Sequence, residues 1–245
     1  MIRCTMFDDY FEVFLADTAK SKEIHYSIRY QVYCEEMGFE NKDKFPKKLE
    51  NDDYDNHSVH FIVRHKHTGA WVGAMRLIFK NNQALPVEKL CNLDEPIGYN
   101  RSFRSVELSR LCLVREIRKR ITDLNSPHGI TDENKIISTD NVKPLYNHYR
   151  NGRSIVWGLL RAATEYGYHN DIQKCYFLMT KALAKIIRKG GLTLQDIGPS
   201  CYHNGERYPF RMNVAETYRN RIWHDYRNGY RLFSELDVPA TLKAA

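Results

Sequence analysis

SVELSRLCLV, residues 105–114, alternates polar and apolar side chains through its first half and turns apolar in its second. Alternation with period two marks a strand with one face in a core, and the apolar run marks deeper burial. On that spacing Glu107, Ser109 and Leu111 share one face, and Leu108, Arg110 and Cys112 share the other. Glu107 interrupts a strand that is otherwise built to be buried, and a buried charge needs a partner.

The search for that partner runs upstream. SVHFIVRH (58–65) and AWVGAMRLIF (70–79) flank KHTG, which predicts a β-hairpin, with Arg76 interrupting the apolar second arm. His65 and His67 are expected as exposed residues of that hairpin turn, and no metal site is predicted. YFEVFLAD (10–17) reads as a first strand, followed by a helix with Asp17 as N-cap and Gly38 just past its end. That helix carries Arg29 and Tyr33. Residues 39–57 read as a polar loop containing ENDDYD (50–55), four acids in six positions of a basic chain. If loop, helix and strands converge, Glu50, Asp52, Asp55 and Glu107 meet Arg29, Arg76 and Arg110, a polar face suited to an ammonium-bearing substrate. Asp53 is expected in solvent. ENDDYD fails as a calcium loop, because Ser58 stands where the turn glycine would be.

Downstream, residues 115–151 are polar and weakly periodic, a long loop of the kind that serves as a lid or binding segment. RSIVWGLLRAATEYGY (153–168) reads as a helix, KCYFLMT (174–180) as a buried strand and KALAKIIRKGG (181–191) as a helix closed by glycines. YHNGERYPF (202–210) holds an Asn-Gly hairpin signal, and residues 213–236 read as a terminal helix. With no repeat and no linker, the 245 residues are expected to form one α/β domain.

Composition narrows the class. The chain is 42% hydrophobic and 27% charged, enough for one substantial core. It has no apolar run long enough to span a membrane, and its first residues lack the pattern of a secretory leader, so a cytoplasmic protein is expected. The six cysteines are widely spaced, without a CxxC, and are expected as reduced thiols. The net charge of +7 belongs to the C-terminal part: residues 141–245 hold 16 Lys/Arg against 8 Asp/Glu. Such a field suits an acidic partner. Nucleic acid is the non-enzymatic alternative, but no zinc pattern, recognition helix or aromatic RNP motif supports it.

Taken in order, RYQVYCEEMGFE, ENDDYDNHSVHFIV, TGAWVGAMRLI and VELSRLCL resemble the motifs of the acyl-homoserine-lactone synthase superfamily over roughly residues 10–115. Its Arg-x-x-Val-aromatic matches Arg29, Val32 and Tyr33, and its Glu-x-Asp-x-x-Asp matches Glu50, Asp52 and Asp55. Its Gly-x-x-Arg-Leu strand matches Arg76, and its Glu-x-Ser-Arg matches Glu107, Ser109 and Arg110. VYCEEMGFE, HSVHF and YHNGERYP are similar to a branch of exosortase (PEP-CTERM)-associated acyltransferases and N-acyl amino acid synthases. Phe39 stands where lactone synthases usually carry Trp.

The resemblance implies a GNAT fold, a central mixed and largely antiparallel twisted sheet flanked by helices. It implies transfer of an acyl group from a thioester, usually on acyl carrier protein and otherwise on coenzyme A, to the amine of an amino acid or similar molecule. The implied catalytic group is Glu107 as base, with Arg110 and Glu50. Arg29, Tyr33, Phe39, Asp52, Asp55, Arg76 and Ser109 would face the acceptor. Backbone N–H groups around Leu111, Cys112 and Leu113 would meet the oxyanion, and Arg115 and Arg118 the phosphate or the carrier. Lactone synthesis and acetyl-CoA-dependent acetylation are the enzymatic alternatives. The usual glycine loop for coenzyme A is replaced here by VREIRKRITD (114–123), which disfavours the second.

Overall fold

The computed structural model describes residues 7–98, 104–117, 151–226 and 228–236. Along the chain come α1 (Phe7–Tyr10), β1 (Phe11–Leu15), α2 (Ala19–Arg29), β2 (Ser58–His65), β3 (Trp71–Phe79), α3 (Pro86–Leu90) and β4 (Arg104–Leu113). There follow α4 (Asn151–His169), β5 (Ile172–Met179), α5 (Lys181–Lys189), β6 (Gln195–Asp196), β7 (Cys201–Tyr202), β8 (Glu206–Asn213), α6 (Val214–Tyr218) and β9 (Arg231–Leu232). Among the described residues, nine strands form a mixed sheet in the order β6-β8-β5-β4-β3-β2-β1-β9, with β7 paired to β8. Only β4–β5 and β1–β9 are parallel among the described residues.

Hydrophobic periodicity explains the layers. On one face α4 lays Ile155, Leu159, Ala162 and Ala163 into the main core with Val13, Phe61, Leu77 and Leu108. On the other a smaller cluster joins Ile78, Leu85, Val87, Ile97, Tyr176 and Ile197. Glu107 belongs to this second face, because its cross-strand partners are Ile78 on β3 and Tyr176 on β5.

Two departures from regular pairing create room for a site. Strands β4 and β5 pair from Arg104↔Ile172 to Leu108↔Phe177 and no further, although both strands continue. A wedge opens between them beyond that point. On the other side of β4 the register with β3 shifts between Ala74 and Arg76, and Arg110 adopts a φ of 52°. This bulge breaks the simple alternation read from the sequence. Arg110 is therefore not turned away from Ser109: both side chains reach the same charged cluster.

Helix α2 starts one residue later than the sequence suggests. Thr18 is the N-cap, its hydroxyl accepting from Ser21 N (3.2 Å) while Ser21 Oγ accepts from Thr18 N (3.0 Å). The carboxylate of Asp17 instead accepts from Ser234 N at 3.0 Å, tying down the C-terminal segment. Beyond Arg29 the helix widens into π-helical turns over Tyr30–Glu36, with Met37 N bonded to Val32 O at 3.0 Å. It ends at Gly38, whose φ of 65° fits a closing glycine.

Three further expectations are corrected or bounded. Cys91 and Cys201 are joined in a disulfide, whereas Cys34, Cys112 and Cys175 are buried thiols. Residues 214–236 do not form one helix: α6 is short, a 3-10 turn covers Arg221–Asp225, and β9 adds an edge strand to β1. Gly229 is buried, and a Cβ there would collide with the Glu165 side chain, so the chain passes too close to α4 for a helix. Within 39–57, 3-10 turns at Lys42–Lys44 and Asp53–His57 punctuate the loop. Of the long loop expected at 115–151, residues 118–150 lie outside the described residues, as does Arg118. His65 and His67 do sit at the hairpin turn, their rings 5.7 Å apart.

Candidate active site

ENDDYD folds back over the sheet because its own residues cap its turn. Asp52 accepts from Tyr54 N at 3.0 Å, Asp55 accepts from Asp52 N at 2.8 Å, and Glu50 N bonds to Tyr26 O of α2 at 3.1 Å. Three acids are thereby turned inward and Asp53 outward. Arg29, fully buried, donates through Nε to Glu50 and through Nη1 to Asp55 at 2.7 Å. Arg76, 1% exposed, clamps both oxygens of Asp52 (2.6 and 2.9 Å), meets Asp55 at 2.8 Å and donates to Ser109 Oγ at 2.9 Å. Arg110 reaches Glu50 (3.0 Å), Glu40 (3.2 Å) and Asp52 (3.4 Å), its guanidinium 5.3 Å above the Tyr33 ring.

Three guanidinium groups thus face four carboxylates in a surrounding of low polarity. Burial alone would push the Asp55 carboxyl up, but the His60 hydrogen bond and the charges of Arg29 and Arg76 hold it far below the usual carboxylate range. Asp52 is likewise depressed, the bond and charge of Arg76 outweighing burial. Behind them, His25 and His60 are pushed down chiefly by burial and stand as neutral rings, 4.6 Å apart.

Glu107 is different. It is 2% exposed and makes no ion pair among the described residues. Its Oε2 accepts from Val87 N at 2.9 Å, an N–H at the first turn of α3 that has no partner within the helix. Burial among the apolar side chains of the second face outweighs this bond and the nearby Arg76, and pushes its carboxyl up to about 8.

A cavity of about 290 Å³ fills the wedge between β4 and β5. Of the residues expected from sequence, Tyr33, Phe39, Arg76, Glu107, Ser109, Arg110 and Leu111 line it. Arg29, Glu50, Asp52 and Asp55 stand behind the lining as the frame that fixes Arg76 and Arg110. Glu50, expected among the catalytic groups, is 1% exposed, is bonded to two arginines and does not line the cavity. Cys112 and Leu113 are buried beyond the cavity, and burial pushes the Cys112 thiol up to about 12. Arg115 is exposed, with its backbone N donating to Glu36 at 3.1 Å.

The cavity has two characters. Leu160, Phe177, Met179, Leu183 and Ile187 make an apolar end, and Glu40, Arg110, His203, Asn204 and Arg207 crowd the other. The last three come from the β7–β8 hairpin, whose Asn204 and Gly205 take φ values of 51° and 103°. The Cys91–Cys201 bond ties that hairpin to the end of α3. The Asn-Gly turn was legible in the sequence, but its position over the site was not. Helix α3 escaped the sequence reading altogether. Its signal was Pro86 at the first helical position with Glu88 two residues on, whose Oε2 accepts from Leu85 N at 2.7 Å.

Residues 28–125 match the model of the acetyltransferase (GNAT) domain, a span that includes Arg29, Glu50, Arg76, Glu107 and Arg110. That match covers under half of the chain and, with the sheet topology, shows a GNAT-domain fold. Among solved structures, the chain is similar to a CoA-dependent acyl-homoserine lactone synthase, BjaI, solved with SAM and isopentyl-CoA. Identity is 14% and the TM-score 0.60, covering 91% of this chain and 95% of that one. It is also similar to the AHL synthase LasI (16% identity, TM-score 0.53, 91% and 97% covered). A third is FeeM, an N-acyl amino acid synthase from uncultured soil microbes (12% identity, TM-score 0.51, 84% and 92% covered). No curated protein sequence matches the chain.

Proposed function

We propose that the protein moves an acyl group from a thioester to the amine of an amino acid or a similar small molecule, with Glu107 as the base. The observation that carries this reading is the state of Glu107: buried, facing the cavity, unpaired, and raised to about 8. An α-ammonium group with a pKa near ~8 cannot readily pass its proton to an ordinary carboxylate, but it can to one of matched affinity.

In the reaction Glu107 takes one proton from the bound ammonium. The freed nitrogen lone pair then attacks the thioester carbonyl carbon, and the electron pair of the carbonyl moves to oxygen. Collapse expels the thiolate, which takes the second proton from nitrogen. Amide, thiol and one proton leave, the last from Glu107 to solvent. The unpaired edge of β4 beyond Leu108 offers backbone N–H groups near Leu111 for the oxyanion.

The wedge supports an extended pantetheine arm, and the apolar end supports an acyl chain larger than acetyl. Acyl carrier protein is our proposed donor, on the strength of the exposed basic face of α5 (Lys181, Lys185, Arg188, Lys189) beside the apolar end. The sequence motifs support a place in the exosortase-associated branch. Mass spectrometry of lipid extracts from cells overexpressing the protein tests the reading. A new N-acylated amine, absent with Glu107→Gln, is expected, and no new acylated species would refute it.

A further inference from the structure

We propose that Arg207 binds the carboxylate of an amino-acid acceptor, which makes the β7–β8 hairpin the element that selects zwitterionic amines. The inference rests on the transferase reading above and goes further, naming the chemical class of the acceptor and the residue that recognises it.

The other guanidinium groups at this cavity are matched by acids: Arg76 by Asp52 and Asp55, Arg110 by Glu40, Glu50 and Asp52. Arg207 is not. Its hydrogen bonds go to the backbone carbonyls of Asn204 (2.9 Å) and Glu206 (3.4 Å), and it has no ion pair among the described residues. The neighbouring acid, Glu206, is engaged elsewhere, accepting from Tyr208 OH at 2.6 Å. Strand alternation puts Glu206 and Tyr208 on the face away from Arg207. A partly buried guanidinium that lines a cavity without a carboxylate is a site for an incoming one, and its fork geometry suits a carboxylate in particular.

The surroundings agree. His203, on the same wall, is pushed down by burial and by the charges of Arg110 and Arg207, so that end of the hairpin carries a positive field. Its imidazole has no hydrogen-bond partner among the described residues. Across the polar end, Glu40 is partly exposed, at 27%, and the framework there holds one carboxylate more than its guanidiniums neutralise. An anion is matched on the hairpin side, and a cation on the acidic side. A zwitterion satisfies both, whereas an acyl chain fits only the apolar end. The two backbone bonds of Arg207 and the Cys91–Cys201 tie hold the fork in place without occupying all its donors.

The test uses the purified full-length protein, acyl thioesters on both coenzyme A and acyl carrier protein, and two acceptor pools. One is an equimolar mixture of the twenty protein amino acids, the other their α-carboxamides, with N-acyl products measured by mass spectrometry. Wild type is expected to favour acid over amide at least tenfold. Arg207→Ala should cut that ratio at least tenfold, with Arg207→Lys in between. A role confined to bracing the turn would change the melting temperature and leave the ratio alone. An unchanged ratio in Arg207→Ala overturns the proposal, as does an equal fall for both pools with a raised KM for the thioester, which assigns the guanidinium to the donor phosphate. Should Arg207→Ala fail to fold, the ratio in Arg207→Lys and Arg207→Gln decides in the same way. Wild type that acylates neither pool refutes the transferase reading itself, and wild type that takes both pools equally refutes only the carboxylate site.

Discussion

Arg76 and Glu107 line the same cavity from neighbouring strands, yet the guanidinium of Arg76 is directed to Asp52, Asp55 and Ser109. Glu107 is left with a backbone N–H and an apolar wall. Two carboxylate populations result from this one arrangement. Asp52 and Asp55 are held ionised, and the strand acid is held near the protonation midpoint of an amine.

The rate should follow that midpoint. With Glu107 raised to about 8, kcat/KM is expected to climb from pH 6 toward pH 8 and level off above it. Steady-state kinetics of wild type and Glu107→Gln across pH 6–9 checks this, and a profile of the same shape in both would contradict it.

Stability should run the other way. A carboxyl whose folded pKa is raised stabilises the fold fully below its unfolded value. That stabilisation is lost as pH rises toward the folded value of about 8, at ~1.4 kcal/mol per pH unit at most. Glu107→Gln should therefore match wild type in denaturant titrations at pH 4 and exceed it, by a few kcal/mol at most, at pH 8. A variant less stable than wild type at pH 8 would contradict the account.

Asp52 and Asp55 show the opposite sign. Asp55 contacts Arg29 (2.7 Å), Arg76 (2.8 Å) and His60 (3.0 Å), and its depressed pKa contributes stability above the unfolded carboxylate range, lost as pH falls. Asp55→Asn leaves two buried guanidiniums short of a charge and should cost about 3–5 kcal/mol at pH 7. The deficit should shrink below pH ~4. Urea midpoints at pH 7 and at about pH 2.5 measure both.

The disulfide predicts a labelling pattern. Cys91 and Cys201 should resist alkylation in the unfolded, unreduced chain, whereas Cys34, Cys112 and Cys175 should react. The bond closes a loop across 110 residues, so Cys91→Ser should lower stability by up to ~5 kcal/mol, strain and residual structure permitting less. Peptide mass mapping after alkylation checks the pairing, and labelling of Cys91 and Cys201 would refute it.

The frame of the site was legible because it rests on local rules. Alternation gave β2, β3 and β4, and charges set into apolar strands announced Arg76 and Glu107. The face of Arg110 was not legible, because a bulge reverses alternation and depends on the β3 register across from it. Arg207 and His203 were hidden for another reason: they join the site through a hairpin some hundred residues away, and a single sequence does not state that distance in space. Cysteine spacing was likewise silent about Cys91 and Cys201, which the fold brings together from a helix end and a hairpin.

The most direct test is turnover by Glu107→Gln, measured at pH 7.5 with an acyl thioester and the amine acceptor that wild type uses, alongside a thermal melt. A fall of about 10²–10⁴ in kcat with melting at or above the wild-type temperature is the predicted result. Turnover at the wild-type rate would contradict the claim that Glu107 takes the amine's proton.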